Sequence, residues 1–205
     1  MGQADRALII ACGALAHEIV ALRTLNDWPH LEVQCLPADL HNRPEKIPAA
    51  VRSKIHAARA SYSSIFVAYA DCGTGGLLDA VLVEENVQRI PGAHCYEFFA
   101  GTQAFFAMAE AELGTFYLTD FLARHFERLV IRGLGIDRHP ELQSMYFGHY
   151  RKLTYLCQRE DAQNLAFARQ AAERLGLDFE YRFTGYGELG PRLQQFNERV
   201  VTWQS

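Results

Sequence analysis

The chain has 205 residues, 49% of them hydrophobic and 21% charged, enough to bury a full core without disulfide staples. A formal net charge of -4 with no basic run excludes the cationic face that nucleic-acid binding needs. No apolar stretch approaches the ~20 residues of a membrane span, and the polar opening, residues 1–6, carries no secretory signal. A cytoplasmic protein is expected, in which the five cysteines stay reduced and serve chemistry or packing rather than disulfides.

The first element is Ala7-Leu-Ile-Ile-Ala-Cys12, a short aliphatic run of strand length. Gly13 interrupts it, and residues 14–25 then take helical spacing. Leu31-Glu-Val-Gln-Cys-Leu36 is the second strand, closed by Pro37, and Pro44 or Pro48 opens a helix reaching to about residue 62. Residues 64–71 are continuously apolar up to Asp71, as a central parallel strand requires, and run into Cys72-Gly-Thr-Gly-Gly76. A helix over 77–86, a weak strand at 87–90, the segment Pro91-Gly-Ala-His-Cys95 and a helix over 96–111 follow.

Residues 115–118 form a fifth strand, with Thr119 or Asp120 capping the next helix. Strands are expected at 153–157 and 179–183 around a helix at 161–175 that Gly176 ends, and a last helix occupies 191–203. Alternating strands and helices imply an α/β fold, a mainly parallel sheet with helices on both faces, built from Rossmann-like βα units. We find no linker, and the chain reads as a single α/β domain, 1–205; a two-lobed variant has no readable boundary.

Parallel strands share one polarity, so their carboxyl ends lie on one edge of the sheet, where α/β proteins bind ligands. Cys12, Cys72 and Cys95 each fall between a predicted strand and a predicted helix, and on that argument they share a site. His41, just past the second strand, hangs over the same edge. Three thiolates and one imidazole satisfy a tetrahedral zinc; two thiolates, an imidazole and water leave it open for catalysis. Three thiolates alone suit an iron–sulfur cluster instead. Cys35 and Cys157, inside apolar strands, read as small core hydrophobes.

Around these ligands, His94, Glu97 and Asp71 are the candidate acid–base or supporting groups. Gly73, Gly75 and Gly76 allow a ligand to approach the backbone, and their amides are candidates to hold an anion. The loop matches neither the dinucleotide fingerprint nor the phosphate loop. The aromatic group Tyr146, Phe147, Tyr150 and Tyr155 reads as core.

Five segments together resemble the family known as domain of unknown function 1638: Ile10-Ala-Cys-Gly13 with Glu18, Leu36-Pro-Ala-x-Leu-His41, Tyr69-Ala-Asp-Cys-Gly-Thr-Gly-Gly76, His94-Cys-Tyr-Glu-Phe-Phe-Ala-Gly101 and Gly114-Thr-Phe-Tyr-Leu-Thr119. The resemblance implies an association with corrinoid-dependent methyltransferase systems, and so a role in one-carbon transfer. It brings no residue roles. Zinc held by thiolates and histidine suits that role, since zinc activates thiols and polarises leaving groups.

Three readings compete. The first is a metal protein, possible as a metal-dependent methyltransferase, with Cys12, His41, Cys72 and Cys95 as ligands and a small-molecule substrate. The second is a metal-free cysteine enzyme, hydrolase-like or locally similar to the two-thiol racemases of the aspartate/glutamate type. The third is an accessory protein for a corrinoid- or folate-dependent methyltransferase partner; corrinoid binding by the chain itself lacks the D-x-H-x-x-G lower-ligand motif.

Overall fold

The computed structural model describes residues 6–202. The polar opening at 1–5 and the end of the expected last helix at residue 203 lie outside the described residues. Two all-parallel sheets with flanking helices make an α/β fold. The chain divides into two compact units, residues 6–95 with 188–202 and residues 96–187. The division falls between Cys95 and Tyr96, at the first turn of a helix, where no proline, glycine cluster or charge run announces it.

The first unit carries strands β1 (Ala7–Cys12), β2 (Leu31–Leu36), β3 (Ser64–Ala68) and β4 (Gln88–Arg89), ordered β2-β1-β3-β4. β1 is central and all six of its residues are buried, which is why its sequence shows no alternation. Its register is unbroken on both sides, Ala7 facing Leu31 and Cys12 facing Leu36 across β2, Ala7 facing Ser64 and Ala11 facing Ala68 across β3. Helices α1 (Ala16–Leu25), α2 (Ile47–Ala58) and α3 (Leu77–Glu84) connect the strands. β3 stops short of the expected residue 71, because the β1 ladder ends beside Ala68. The amides of Asp71 and Cys72 bond to the carbonyls of Gly92 (3.0 Å) and Ala93 (2.8 Å) instead. Cys35, expected in the core, is exposed: β2 is an edge strand with only its two ends buried.

The second unit opens with α4 (Cys95–Ala100) and α5 (Thr102–Ala111). The single helix expected over 96–111 is broken by Gly101, whose φ of +82° is left-handed and outside helical geometry. Strand β5 (Thr115–Thr119), α6 (Asp120–Arg124), α7 (Leu142–Phe147), β6 (Lys152–Cys157), α8 (Ala162–Leu175) and β7 (Asp178–Phe183) follow, with the sheet ordered β5-β6-β7. The last helix, α9 (Leu189–Thr202), belongs to the first unit. Thr119 caps α6 by accepting from the Leu122 amide (3.3 Å), Asp161 caps α8 through the amides of Gln163 and Asn164, and Gly176 ends α8 in the left-handed region. Leu118, Phe126, Val130, Leu153, Tyr155 and Ala168 centre this unit's core. Each large apolar side chain there contributes about 1.5–3 kcal/mol on burial. Among the described residues no helix is long and apolar enough to cross a membrane.

Asp120 ties the ends of β5 and β6 together. Its carboxylate accepts from the Tyr155 hydroxyl (2.7 Å) and the amides of Gln158 and Arg159 (both 3.0 Å), and its own amide donates to Gln158 Oε1 (2.8 Å). Replacing Asp120 with alanine leaves buried donors unpaired. We expect Asp120→Ala to lose about 3 kcal/mol or more of unfolding free energy in urea titration, and Tyr155→Phe about 1 kcal/mol.

Candidate thiol–imidazole site

β1 delivers Cys12 to the carboxyl edge of the first sheet, 3% exposed. The chain turns there into a short 3-10 segment, Gly13–Leu15, and the Cys12 sulfur caps it by accepting from the Ala14 amide at 3.3 Å. Gly13 permits a close crossing, since a Cβ at that position would lie 3.1 Å from the Leu36 carbonyl at the end of β2. After β2 the chain forms a second 3-10 turn, Ala38–Asn42, that brings His41 back over the edge. His41 Nδ1 lies 3.7 Å from Cys12 Sγ and 3.0 Å from the Ala38 carbonyl oxygen. The imidazole also runs parallel to the Tyr69 ring, with centroids 6.2 Å apart and an interplanar angle of 11°.

Cys72 sits in the turn beyond β3 with φ at +51°. For a residue with a side chain that conformation is strained, by about 1–3 kcal/mol, and such strain concentrates at functional sites. Gly73, Gly75 and Gly76 also have positive φ, at +82°, +62° and +85°. At Gly75 and Gly76 an added Cβ would meet nothing within 4 Å, so conformation and not space requires glycine there. The anion that this loop encloses is its own Asp71. The Asp71 carboxylate accepts from Thr74 Oγ1 (2.6 Å), the Gly76 amide (2.9 Å) and the Gly75 amide (3.1 Å). Asp71 therefore shapes the turn that presents Cys72.

A second tie joins this turn to the segment carrying His94 and Cys95. Arg89 forks onto Asp79 through Nε (2.6 Å) and Nη2 (2.9 Å), and its Nη1 donates to the carbonyls of Ile90 (2.7 Å) and Gly92 (3.2 Å). With the Asp71 and Cys72 backbone bonds to Gly92 and Ala93, the two loops are stitched side by side. His94 is exposed and close enough to His41 to disfavour its charging; Cys95 is half-buried as the first residue of α4. Glu97 belongs to the second unit, where it is buried and accepts from Thr102 Oγ1 (3.2 Å).

Burial governs the electrostatics. It pushes the Cys12 thiol up to about 12, against the lowering effect of the Ala14 amide and with a further rise from Cys72. Burial likewise pushes the Cys72 thiol up to about 11. Desolvation lowers the His41 pKa, so its imidazole is neutral at pH 7, with one edge still open to solvent. The site thus collects two neutral thiols and a neutral imidazole. Among the described residues no group of three or more His, Cys, Asp or Glu side chains is placed to hold a metal ion.

The structure brings Cys12, His41 and Cys72 to one edge of one sheet, with His94 on the adjoining loop and Cys95 at the start of α4. Sequence reasoning passed over Tyr69 as a site residue. The signal available was a hydroxyl-bearing side chain in an otherwise apolar run, two residues before Asp71.

The fold and site define an α/β protein of two parallel-sheet units, the first with a thiol–imidazole group at its carboxyl edge. The chain belongs to the family described as Protein of unknown function (DUF1638), whose model matches residues 35–193. No curated protein matches. Among solved structures the chain is similar to the ornithine carbamoyltransferase from Pyrococcus furiosus, at 12% identity and a TM-score of 0.29, over 88% of this chain and 55% of that one. The chain spans about half the length of that protein, and a likeness of this size assigns nothing to it.

Burial opposes ionisation of Asp71, but Thr74, the two glycine amides and Arg89 outweigh it, and its pKa falls below the ordinary carboxylate value. A depressed carboxylate stabilises above its unfolded pKa and loses that contribution as pH falls through the folded value. Hydrogen-exchange protection of the Gly75 and Gly76 amides, followed by NMR, is expected to hold down to about pH 4 and then decline. Asp71→Ala should abolish the protection at every pH.

Proposed function

We propose that this chain is a zinc-binding protein whose site is built from Cys12, His41 and Cys72 with Cys95 as fourth ligand, acting in methyl or one-carbon transfer. The observation that carries the reading is the 3.7 Å separation of Cys12 Sγ and His41 Nδ1. A sulfur at about 2.3 Å and an imidazole nitrogen at about 2.0 Å from one tetrahedral zinc lie about 3.6 Å apart. The pair therefore already has the spacing of two ligands, and His41 would exchange its Ala38 contact for the metal.

The burial of both thiols supports the same choice over a metal-free cysteine nucleophile. With pKa values near 12 and 11, neither thiol is ionised at neutral pH without a neighbouring cation. Zinc bound there would keep the thiolates ionised and supply a Lewis acid. The chain's own contribution is to hold Cys72 in its strained turn through Asp71, to hold the Cys95 loop through Arg89, and to keep His41 neutral. His94, exposed beside His41, would serve as proton acceptor or donor. Such a site needs reduced thiols, which favours the cytoplasm. The family resemblance supports a corrinoid- or folate-dependent methyltransferase protein as its partner.

Metal analysis of protein purified without air tests the proposal. We expect about one zinc per chain, and Cys12→Ala or Cys72→Ala should weaken zinc binding by more than the ~100-fold that loss of a supporting residue costs. Iron with inorganic sulfide would favour the cluster alternative. No bound metal, unchanged by cysteine replacement, would overturn the reading.

A further inference from the structure

Tyr69 follows β3 directly, one place beyond its ladder with β1. Ala11 faces Ala68 across that pair, so the same register continued sets Tyr69 beside Cys12. The residue is 0% exposed, and its buried hydroxyl makes no hydrogen bond of full geometry, the acceptor it addresses being the Cys12 sulfur. Buried hydroxyls in folded proteins are nearly always paired. The polar groups around this one are thiols, that of Cys12 foremost and Cys72 next. The flat face of the same ring lies against His41, whose Nδ1 is 3.7 Å from Cys12 Sγ. One side chain thus addresses both members of the thiol–imidazole pair.

A neutral thiol is a weak acceptor, and a thiolate accepts a strong, charge-assisted hydrogen bond. The unpaired hydroxyl is therefore satisfied when the neighbouring sulfur carries charge. The geometry points to Tyr69 as the positioning residue of this site: its hydroxyl donates to the Cys12 sulfur once that sulfur is a thiolate, and its ring fixes the plane of the His41 imidazole. The zinc reading supplies the reason for Cys12 to ionise, and to that extent the inference rests on it. The placement of the Tyr69 ring and hydroxyl beside Cys12 and His41 does not depend on a bound cation.

Tyr69→Phe in the full-length chain is the test, because it keeps the ring and removes only the hydroxyl. The metal-free variant should melt at or above the wild-type temperature, since an unpaired buried donor has been removed. Titrated with cobalt(II) in the absence of air, it should bind about 10–100-fold more weakly, the usual cost of losing a group that supports a ligand. Its thiolate-to-cobalt absorption should also shift. Wild-type affinity with an unshifted band would overturn the inference while leaving the metal reading standing. A wild-type chain that takes up no cobalt would instead sink the metal reading. Methylthiolation of Cys12 in metal-free protein at about pH 9, read by mass spectrometry, then decides the role of Tyr69: loss of the hydroxyl should slow it about 10-fold, and equal rates would overturn the inference.

Discussion

The in-register parallel pairing of β1 with β2 on one side and β3 on the other is the constraint from which the site follows. β1 is buried along its whole length, so its register is fixed by packing on both faces, and a slip of one residue would turn every side chain over. With Cys12 opposite Leu36, and Ala11 opposite Ala68, the chain leaves all three strands at nearly the same height. His41 returns from one neighbour, Tyr69 and Cys72 extend from the other, and Cys12 stands between them. Gly13 lets the first exit cross close to the second.

What these groups share is partial or full removal from solvent at the sheet edge. Burial raises both thiols, lowers the imidazole and leaves the Tyr69 hydroxyl unpaired. The neighbouring polar groups are instead consumed. Asp71 is saturated by its own turn, and Arg89 is divided between Asp79 and two carbonyls. The loops are held by closed internal bonds, while the Tyr69 hydroxyl beside them is not.

The second unit shows the contrast on the same architecture. There too a polar residue stands at a strand end: Asp120, after β5. Its carboxylate is fully engaged by Tyr155 and by the backbone that leaves β6. The result is a clasp between strands with nothing left to offer a ligand. Strand ends collect polar side chains in both units, and only the count of satisfied bonds separates a support from a candidate site.

Local pattern settled much of this in advance. Continuous aliphatic runs announced β1 and β3, Asp161 and Gly176 bounded α8, and the shared polarity of parallel strands set Cys12 and Cys72 toward one edge, while Cys95 opens α4 six residues beyond β4. Those features rest on neighbours in sequence, on periodicity and on backbone conformations that particular residues require. Other features had no local signature. Cys35 was read as core and is exposed, because an edge position depends on strand order. The helix after Cys95 breaks at Gly101, and the division into two units falls inside an element, because both reflect which surfaces pack together. The site divides in the same way. Residue type and chain position nominated Cys12, His41 and Cys72. Their burial, the strain at Cys72, the enclosure of Asp71 by its glycines and the unpaired hydroxyl of Tyr69 arise only when β1, β2 and β3 lie side by side, since desolvation and hydrogen-bond satisfaction depend on neighbours far away in sequence.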